Sequence, residues 1–169
     1  IRESSVNSTA DALDYLNREV IRTLKQKADE DWSVKDGMDI SLVAIDLENS
    51  KLFYSGANNP LYVIRNGEFV EITANKQPIG AYIVNTEPFT EHAMQLEKGD
   101  MVYLFTDGYA DQFGGEKGKK FRYKQMKEML HGIHASPMAE QQKVVAESFQ
   151  NWKNGFDQTD DVCIIGVRL

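Results

Sequence analysis

Residues 103–115 read YLFTDGYADQFGG. The run Met101-Val102-Tyr103-Leu104-Phe105 is too apolar to face water and reads as a buried strand. It leads straight into Thr106-Asp107-Gly108, with a second carboxylate, Asp111, four residues after the first. Gly108 lets the backbone turn sharply or come close to a ligand. A buried strand ending in an acid needs something for that acid to hold.

The sequence on either side of this strand alternates between two periods. Upstream, FTEHAMQLEKGD (89–100) reads as a strand and a turn, and NKQPIGAYI (75–83) as a loop carrying Pro78 and Gly80. LYVIRNGEFVEI (61–72) places two β-rich runs around Asn66-Gly67, a type I′ hairpin signal. MDISLVAIDLEN (38–49) and KLFYSGA (51–57) read as two strands joined at Asn49-Ser50. Residues 8 to 27 carry Leu13, Leu16, Val20 and Leu24 at helical spacing, and Ser8 with Asp11 resembles a capping box. The stretch KADEDWSVKDG (27–37) is a polar connector. Downstream, residues 121–133 and 137–153 read as two helices. DVCIIGVRL (161–169) reads as a closing strand buried on both faces. Strands in antiparallel succession with helices at the ends give an α+β fold class.

Composition narrows the function. At 169 residues the chain is one domain's worth, expected as a single domain over 1–169. A net charge of −7 argues against nucleic-acid binding and against anionic lipid surfaces. The single cysteine, Cys163, cannot close an internal disulfide, which fits a reducing compartment and a cytoplasmic location. No apolar run is long enough to span a bilayer, so direct membrane insertion by this segment is not expected. The opening IRESSVNSTA is neither a signal peptide nor a start at Met, and is expected to be a cut within something longer.

Several features mimic sites. GGEKGKK (114–120) has the flavour of a phosphate loop but is one residue short of its spacing and has no Ser or Thr after the Lys, so it reads as a solvated turn. The basic run Lys117 to Lys124 reads as a solvated helix start. His92, His131 and His134 have no metal-ligating company and read as surface histidines. Cys163, inside an apolar strand, reads as a buried inert thiol.

The carboxylates carry more. Asp107 sits at the C-terminal mouth of one apolar strand, and Asp160-Asp161 stand just before another, VCIIGV. Carboxylates at the mouths of two buried strands are costly unless a cation lies between them, and Mg²⁺ or Mn²⁺ is the natural occupant. The structural alternative is that Asp107 opens a turn and Asp160-Asp161 caps a strand start.

The ordered set of motifs resembles the metal-dependent protein serine/threonine phosphatases of the PPM family, in their bacterial SpoIIE/RsbU-like branch. LVAIDLENSKLFYSGANNPLYVIRNGEF (42–69) resembles that branch's strand pair and G-H-N-P turn, where this chain has Ala57-Asn58-Asn59-Pro60. NKQPIGAY resembles its G-x-P-L-G loop, LEKGDMVYLFTDGYAD its P-G-D…T-D-G segment, and DDVCIIGVRL its closing D-D strand. The resemblance implies an αββα sandwich of two antiparallel sheets flanked by helices, holding a binuclear Mn²⁺ or Mg²⁺ site. It makes Asp107, followed by Gly108, and Asp160 metal ligands, with Asp161 in support and Asp111 at a more variable acidic position. It implies hydrolysis of phosphoserine or phosphothreonine in a bacterial regulatory protein by a metal-activated water, with no covalent intermediate. Its usual partner is a phosphorylated anti-sigma-factor antagonist, with a sensory domain upstream.

The family's early G-D-x-Y-D strand and D-x-x-G-H-G turn do not occur here. The upstream acids Asp11, Asp14, Asp29, Asp31, Asp36 and Asp39 lack that context, and Asn58 stands where relatives often carry His. The chain is therefore expected to be the C-terminal portion of such a domain, incomplete at its N-terminal end. Alone it is expected to be inactive, to bind metal weakly and to self-associate through an open sheet edge. The alternative function is a non-catalytic module that binds the phosphoprotein without turning it over.

Overall fold

Ser8 begins the first helix: its hydroxyl accepts a hydrogen bond from the Asp11 N–H at 3.0 Å, and Asp11 in turn accepts from the Asn7 N–H at 3.2 Å. The computed structural model describes residues 6–25, 36–80 and 87–169. In chain order its elements are α1 (Thr9–Thr23), β1 (Ile40–Asp46), β2 (Lys51–Ala57), β3 (Leu61–Arg65), β4 (Glu68–Ile72), β5 (His92–Gln95) and β6 (Met101–Phe105). There follow α2 (Gly108–Asp111), β7 (Phe113–Gly114), β8 (Lys119–Lys120), α3 (Arg122–Ile133), α4 (Met138–Lys153) and β9 (Ile164–Arg168). This is a mixed α+β fold with antiparallel sheets and four helices among the described residues, as the sequence led one to expect. The chain divides into two units, Ile1–Leu61 with Glu71–Glu97, and Tyr62–Val70 with Lys98–Leu169.

The first unit is a three-stranded sheet in the order β1-β2-β5, with α1 against it. Leu13 is buried with Ala57, Ile79 and Phe89, and Leu16 and Val20 pack on the same cluster. Burying Leu13, Ile79 or Phe89 contributes roughly 1.5–3 kcal/mol each. The helix ends at Thr23 rather than 27, and Leu24 at its C-cap is exposed, so the last of the four periodic leucine and valine positions does not join the core. The polar side of α1 ties down the segments beside it. Thr9 donates from its N–H and its hydroxyl to Glu91, Asn17 accepts from the Gly80 N–H at 2.7 Å, and Asp14 accepts from the Phe89 N–H at 3.1 Å. Tyr54 is buried in the sheet and donates to the Asn59 carbonyl at 2.7 Å; burial pushes its phenol up to about 12. The connector, with Asp29 and Asp31, falls outside the described residues except at its end.

The second unit is a four-stranded antiparallel sheet in the order β4-β3-β6-β9. The β3–β4 turn is the expected type I′: Asn66 and Gly67 have φ of 50° and 79°. Tyr62, Ile64, Met101, Tyr103 and Phe105 from the sheet form one core with Tyr109, Phe121, Met126, Leu130 and Phe149 from the helices. Two buried polar groups lock it. Gln141 accepts from the Tyr103 hydroxyl at 2.7 Å and donates to the His134 and Ser136 carbonyls. Arg65 forks onto Asp100 at 2.9 and 2.6 Å, which keeps that buried carboxylate paired. Burial also pushes the Tyr103 phenol up to about 12.

Two expectations for the closing strand need correction. β9 lies at the end of the sheet order, pairs with β6, and exposes Ile165 at 52%. It is not buried on both faces, and Cys163, just before it, is exposed rather than buried. An Ile-Ile-Gly-Val run records apolarity, but sheet position decides which side chains meet water.

Candidate metal centre

The two acidic segments singled out in the sequence come together in the second unit. Thr106 is the clasp. Its N–H donates to the Cys163 carbonyl at 3.0 Å, its hydroxyl donates to the Asp161 carbonyl at 2.8 Å, and the same hydroxyl accepts from the Cys163 N–H at 2.9 Å. These bonds extend the β6–β9 ladder past Phe105↔Ile164, its last pair. Directly after them, Gly108 lies against the other segment. A Cβ on Gly108 would stand 2.4 Å from the Asp161 carbonyl oxygen and 3.3 Å from the Asp160 carbonyl carbon, so no larger residue fits without movement.

Asp107 is the N-cap residue of the short helix α2 but makes no side-chain capping bond, so capping does not account for its identity. Asp160 is exposed, and one of its carboxylate oxygens accepts from the Asp161 N–H at 2.7 Å. Asp111 lies in a helix rather than in a loop after the strand. It is the last residue of α2, its N–H donates to the Asp107 carbonyl at 2.9 Å, and its carboxylate pairs with Lys120 at 2.7 Å.

Gln112 is the residue that the sequence did not single out. It is fully buried and joins both segments. Its side-chain amide donates to the Phe113 and Asp157 carbonyls at 2.9 Å each, and its side-chain oxygen accepts from the Thr159 N–H at 3.4 Å. Its own carbonyl accepts from the Phe121 N–H and from the Trp152 indole, both at 3.0 Å. The loop leading into Asp160 is thus hung from the residue that follows Asp111. A buried glutamine whose side-chain amide and carbonyl are all partnered is a non-local fact with no local sequence signal.

The donor chemistry fits a hard divalent cation: Asp107 and Asp160 offer carboxylate oxygens from two adjoining segments, and neither sulfur nor imidazole stands among the assigned residues. The set is partial, since no group of three or more His, Cys, Asp or Glu that could hold a metal ion occurs among the described residues. The histidines stand elsewhere. His92 stacks on Tyr54 at 6.0 Å, and His131 stacks on His134 at 5.5 Å and contacts the Gly67 carbonyl at 2.7 Å. Asp36 and Asp39 are exposed in the first unit, where Asp39 accepts from the Asn58 side chain at 2.8 Å. A cavity of about 810 Å³ opens between α4 and strands β6 and β9, lined by residues such as Tyr103, Met138, Val145 and Ile164; no carboxylate lines it, so it is not the cation site.

The family model for Stage II sporulation protein E (SpoIIE) matches residues 3–169. Solved structures agree. The SiaA-PP2C domain of Pseudomonas aeruginosa superposes with a TM-score of 0.84 at 26% identity over 96% of this chain and 61% of that one. The PP2C phosphatase domain with a regulatory fragment of SpoIIE from Bacillus subtilis gives 0.72 at 20% identity over 96% of this chain and 44% of that one. The RsbU and RsbW domains of a Mycobacterium tuberculosis protein give 0.68 at 12% identity over 98% and 43%. The chain therefore spans less than two thirds of the length of each of these structures. No curated protein matches it. A family model that takes in nearly every residue, together with a shared PP2C fold, means that the chain belongs to the SpoIIE family of phosphatase domains.

Proposed function

We propose that this chain is the part of a metal-dependent protein phosphatase domain that carries Asp107 and Asp160, and that its protein removes phosphate from phosphoserine or phosphothreonine in a regulatory protein. The observation that supports this reading is the clasp: Thr106 and Gly108 bring two carboxylate-bearing segments together through hydroxyl and main-chain bonds and a close backbone approach. Asp107 and Asp160 would hold a divalent cation, Mn²⁺ or Mg²⁺, and such a cation when bound supplies charge neutralisation at a phosphate and acidifies water. The chain's own residues supply position. Gln112 fixes the approach to Asp160, and the α2 turn fixes Asp107 relative to Asp111. A complete binuclear set needs more acids than these two segments hold, so further ligands would have to join Asp107 and Asp160.

The substrate class rests on the family: SpoIIE-type domains, by the resemblance drawn above, act on small phosphorylated antagonists of anti-sigma factors. No helix among the described residues is long and apolar enough to cross a membrane. The second reading, a binding module without turnover, is favoured by one observation, the partial donor set.

The test is a calorimetric titration of the 169-residue chain with Mn²⁺, run beside phosphate release from a phosphoserine protein. We expect dissociation constants no tighter than about millimolar and little turnover for this chain, since Mg²⁺-like ions dehydrate reluctantly for two carboxylates. Micromolar binding that survives replacement of both Asp107 and Asp160 would overturn the assignment.

A further inference from the structure

The strongest local charge in this acidic chain is positive and stands beside the carboxylates. Residues 117–127 hold six of its 19 lysines and arginines and no acid. The structure shows where they lie. Lys119 and Lys120 form β8, Arg122 and Lys124 occupy the first turn of α3, and Lys117 sits in the turn between β7 and β8. Lys117, Lys119, Lys120, Arg122 and Lys124 are all exposed. Lys120 is engaged with Asp111 at 2.7 Å and lies 5.8 Å from the centre of the Phe113 ring; Lys127 is engaged over Tyr62 at 5.2 Å. Among the described residues the other four make no ion pair.

This charge does not serve α3. The positive end of a helix dipole favours acids in the first turn, and α3 has none there and two cations instead. Arg122 also sits at φ 73°, a left-handed conformation that a residue with a long side chain rarely adopts. Nor is the hairpin a loose tip. Gly115 donates its N–H to the Trp152 carbonyl at 2.8 Å, and a Cβ on Gly114 would stand 1.9 Å from that same oxygen, so the hairpin lies backbone to backbone on the end of α4. Exposed aromatic rings flank the cations: Phe113 on β7, Tyr123 on α3, and Phe156, which touches the Gly118 position. A fixed ledge of cations and rings, one ion pair away from Asp111 and one helical turn from Asp107, is built to attract an anion to that mouth.

We propose that the β7–β8 hairpin with the first turn of α3 is a docking surface for an acidic segment flanking the phosphorylated residue of the protein substrate. The proposal rests on the phosphatase-domain reading for the substrate's nature, and on charge complementarity for its place. The occupant is a polypeptide rather than a nucleic acid or a bilayer, because the patch is small and the remainder of the chain carries excess negative charge that opposes both. Lys119, Arg122 and Lys124 meet its carboxylates, and Phe113 and Phe156 meet its apolar side chains.

The experiment measures binding to the 169-residue chain by fluorescence anisotropy, without relying on turnover. The probes are a short labelled peptide with serine between aspartates and glutamates, its phosphoserine form, and a neutral-flanked phosphoserine peptide. Both acidic peptides should bind about tenfold more tightly than the neutral one at low salt, with the advantage fading as salt rises. The double variant Lys119→Glu with Lys124→Glu should lose that advantage while its thermal melt stays unchanged. Lys119→Arg with Lys124→Arg, which keeps the charge, should retain it. Equal binding of acidic and neutral peptides overturns the proposal, and so does tighter binding to phosphatidylserine vesicles or to RNA. Because the serine peptide carries no phosphate, its binding tests the docking surface alone; an acidic preference found together with micromolar Mn²⁺ binding that survives replacement of both Asp107 and Asp160 would keep the docking surface and count against the phosphatase reading alone.

Discussion

Two turn clusters at strand ends use their polar residues in opposite ways. In the first unit, the Ala57-Asn58-Asn59-Pro60 turn consumes its own groups. The Asn58 N–H donates to the Asn75 carbonyl at 2.9 Å and its side chain to Asp39, while the Asn59 carbonyl accepts from Tyr54 and from Ser41. In the second unit, the joint between residues 106–108 and 160–163 is made by Thr106, by main chain and by the missing side chain of Gly108. Asp160 adds one bond of its own, accepting from the Asp161 N–H at 2.7 Å. In the first cluster polar side chains are spent on local bonds; in the second a hydroxyl and the main chain make the clasp.

Replacing an acid should therefore cost chemistry in the second cluster and little else, and this gives the largest expected effect. Asp107→Asn in the intact phosphatase should lower the Mn²⁺-dependent rate about a thousandfold, roughly 4 kcal/mol of barrier, while the melting temperature stays within a degree or so. A mutant retaining half the rate would remove Asp107 from the site, and one that fails to fold would erase the contrast between the clusters.

Next comes the scaffold itself. Gly108→Ala puts a methyl 2.4 Å from the Asp161 carbonyl and should cost about 1–3 kcal/mol in urea unfolding. Asn58→Gly in the other cluster relieves a left-handed residue at φ 57° and gives up one exposed hydrogen bond, so it should stay within about 0.5 kcal/mol. Equal losses would mean that the two turns are held alike.

Alkali tests a property that the units share. Tyr54 and Tyr103, one in each unit, have phenols raised from 10.0 to about 12 by burial. A pKa raised on folding gives stability that is complete below the unfolded value and drains away as pH rises through the folded one. Stability should thus fall between about pH 10 and pH 12. Tyr103→Phe should blunt the fall in the second unit only, as monitored by hydrogen exchange. A melt that does not change over that window would show that the phenols titrate normally.

Among the acids of the candidate site the smaller effect on rate is expected at Asp111, whose carboxylate is already partnered by Lys120. Asp111→Ala should lower the rate about tenfold, near 1.4 kcal/mol, with the loss partly restored at higher Mn²⁺. A loss equal to that of Asp107→Asn would place Asp111 among the principal ligands.

What could be read in advance follows the range of the forces involved. Asn66-Gly67 and the Ser8 cap were legible because their conformations are set within four residues. That the segments bearing Asp107 and Asp160 would adjoin was legible as pattern, since each acid abuts an apolar strand and those strands turn out to be neighbours, β6 and β9. Ile165 and Cys163 misled because exposure at a sheet edge depends on which strand comes last in the order. Gln112 was invisible for the same reason: its partners lie up to 47 residues away, and nothing beside it in the chain distinguishes it from any other glutamine. The lysines of the hairpin read as solvated, and solvated they are; what the sequence hid was that they stand on a rigid ledge next to Asp111.

Trp152 gives this arrangement an optical consequence. Its indole N–H is bound to the carbonyl of Gln112, its own carbonyl holds Gly115, and its ring lies edge-on to Phe121 at 5.3 Å. An indole wired in this way senses the base of the hairpin and the approach to Asp160 at once. With the other tryptophan, Trp32, replaced by Phe, its emission should gauge ligand arrival at either one without an attached dye.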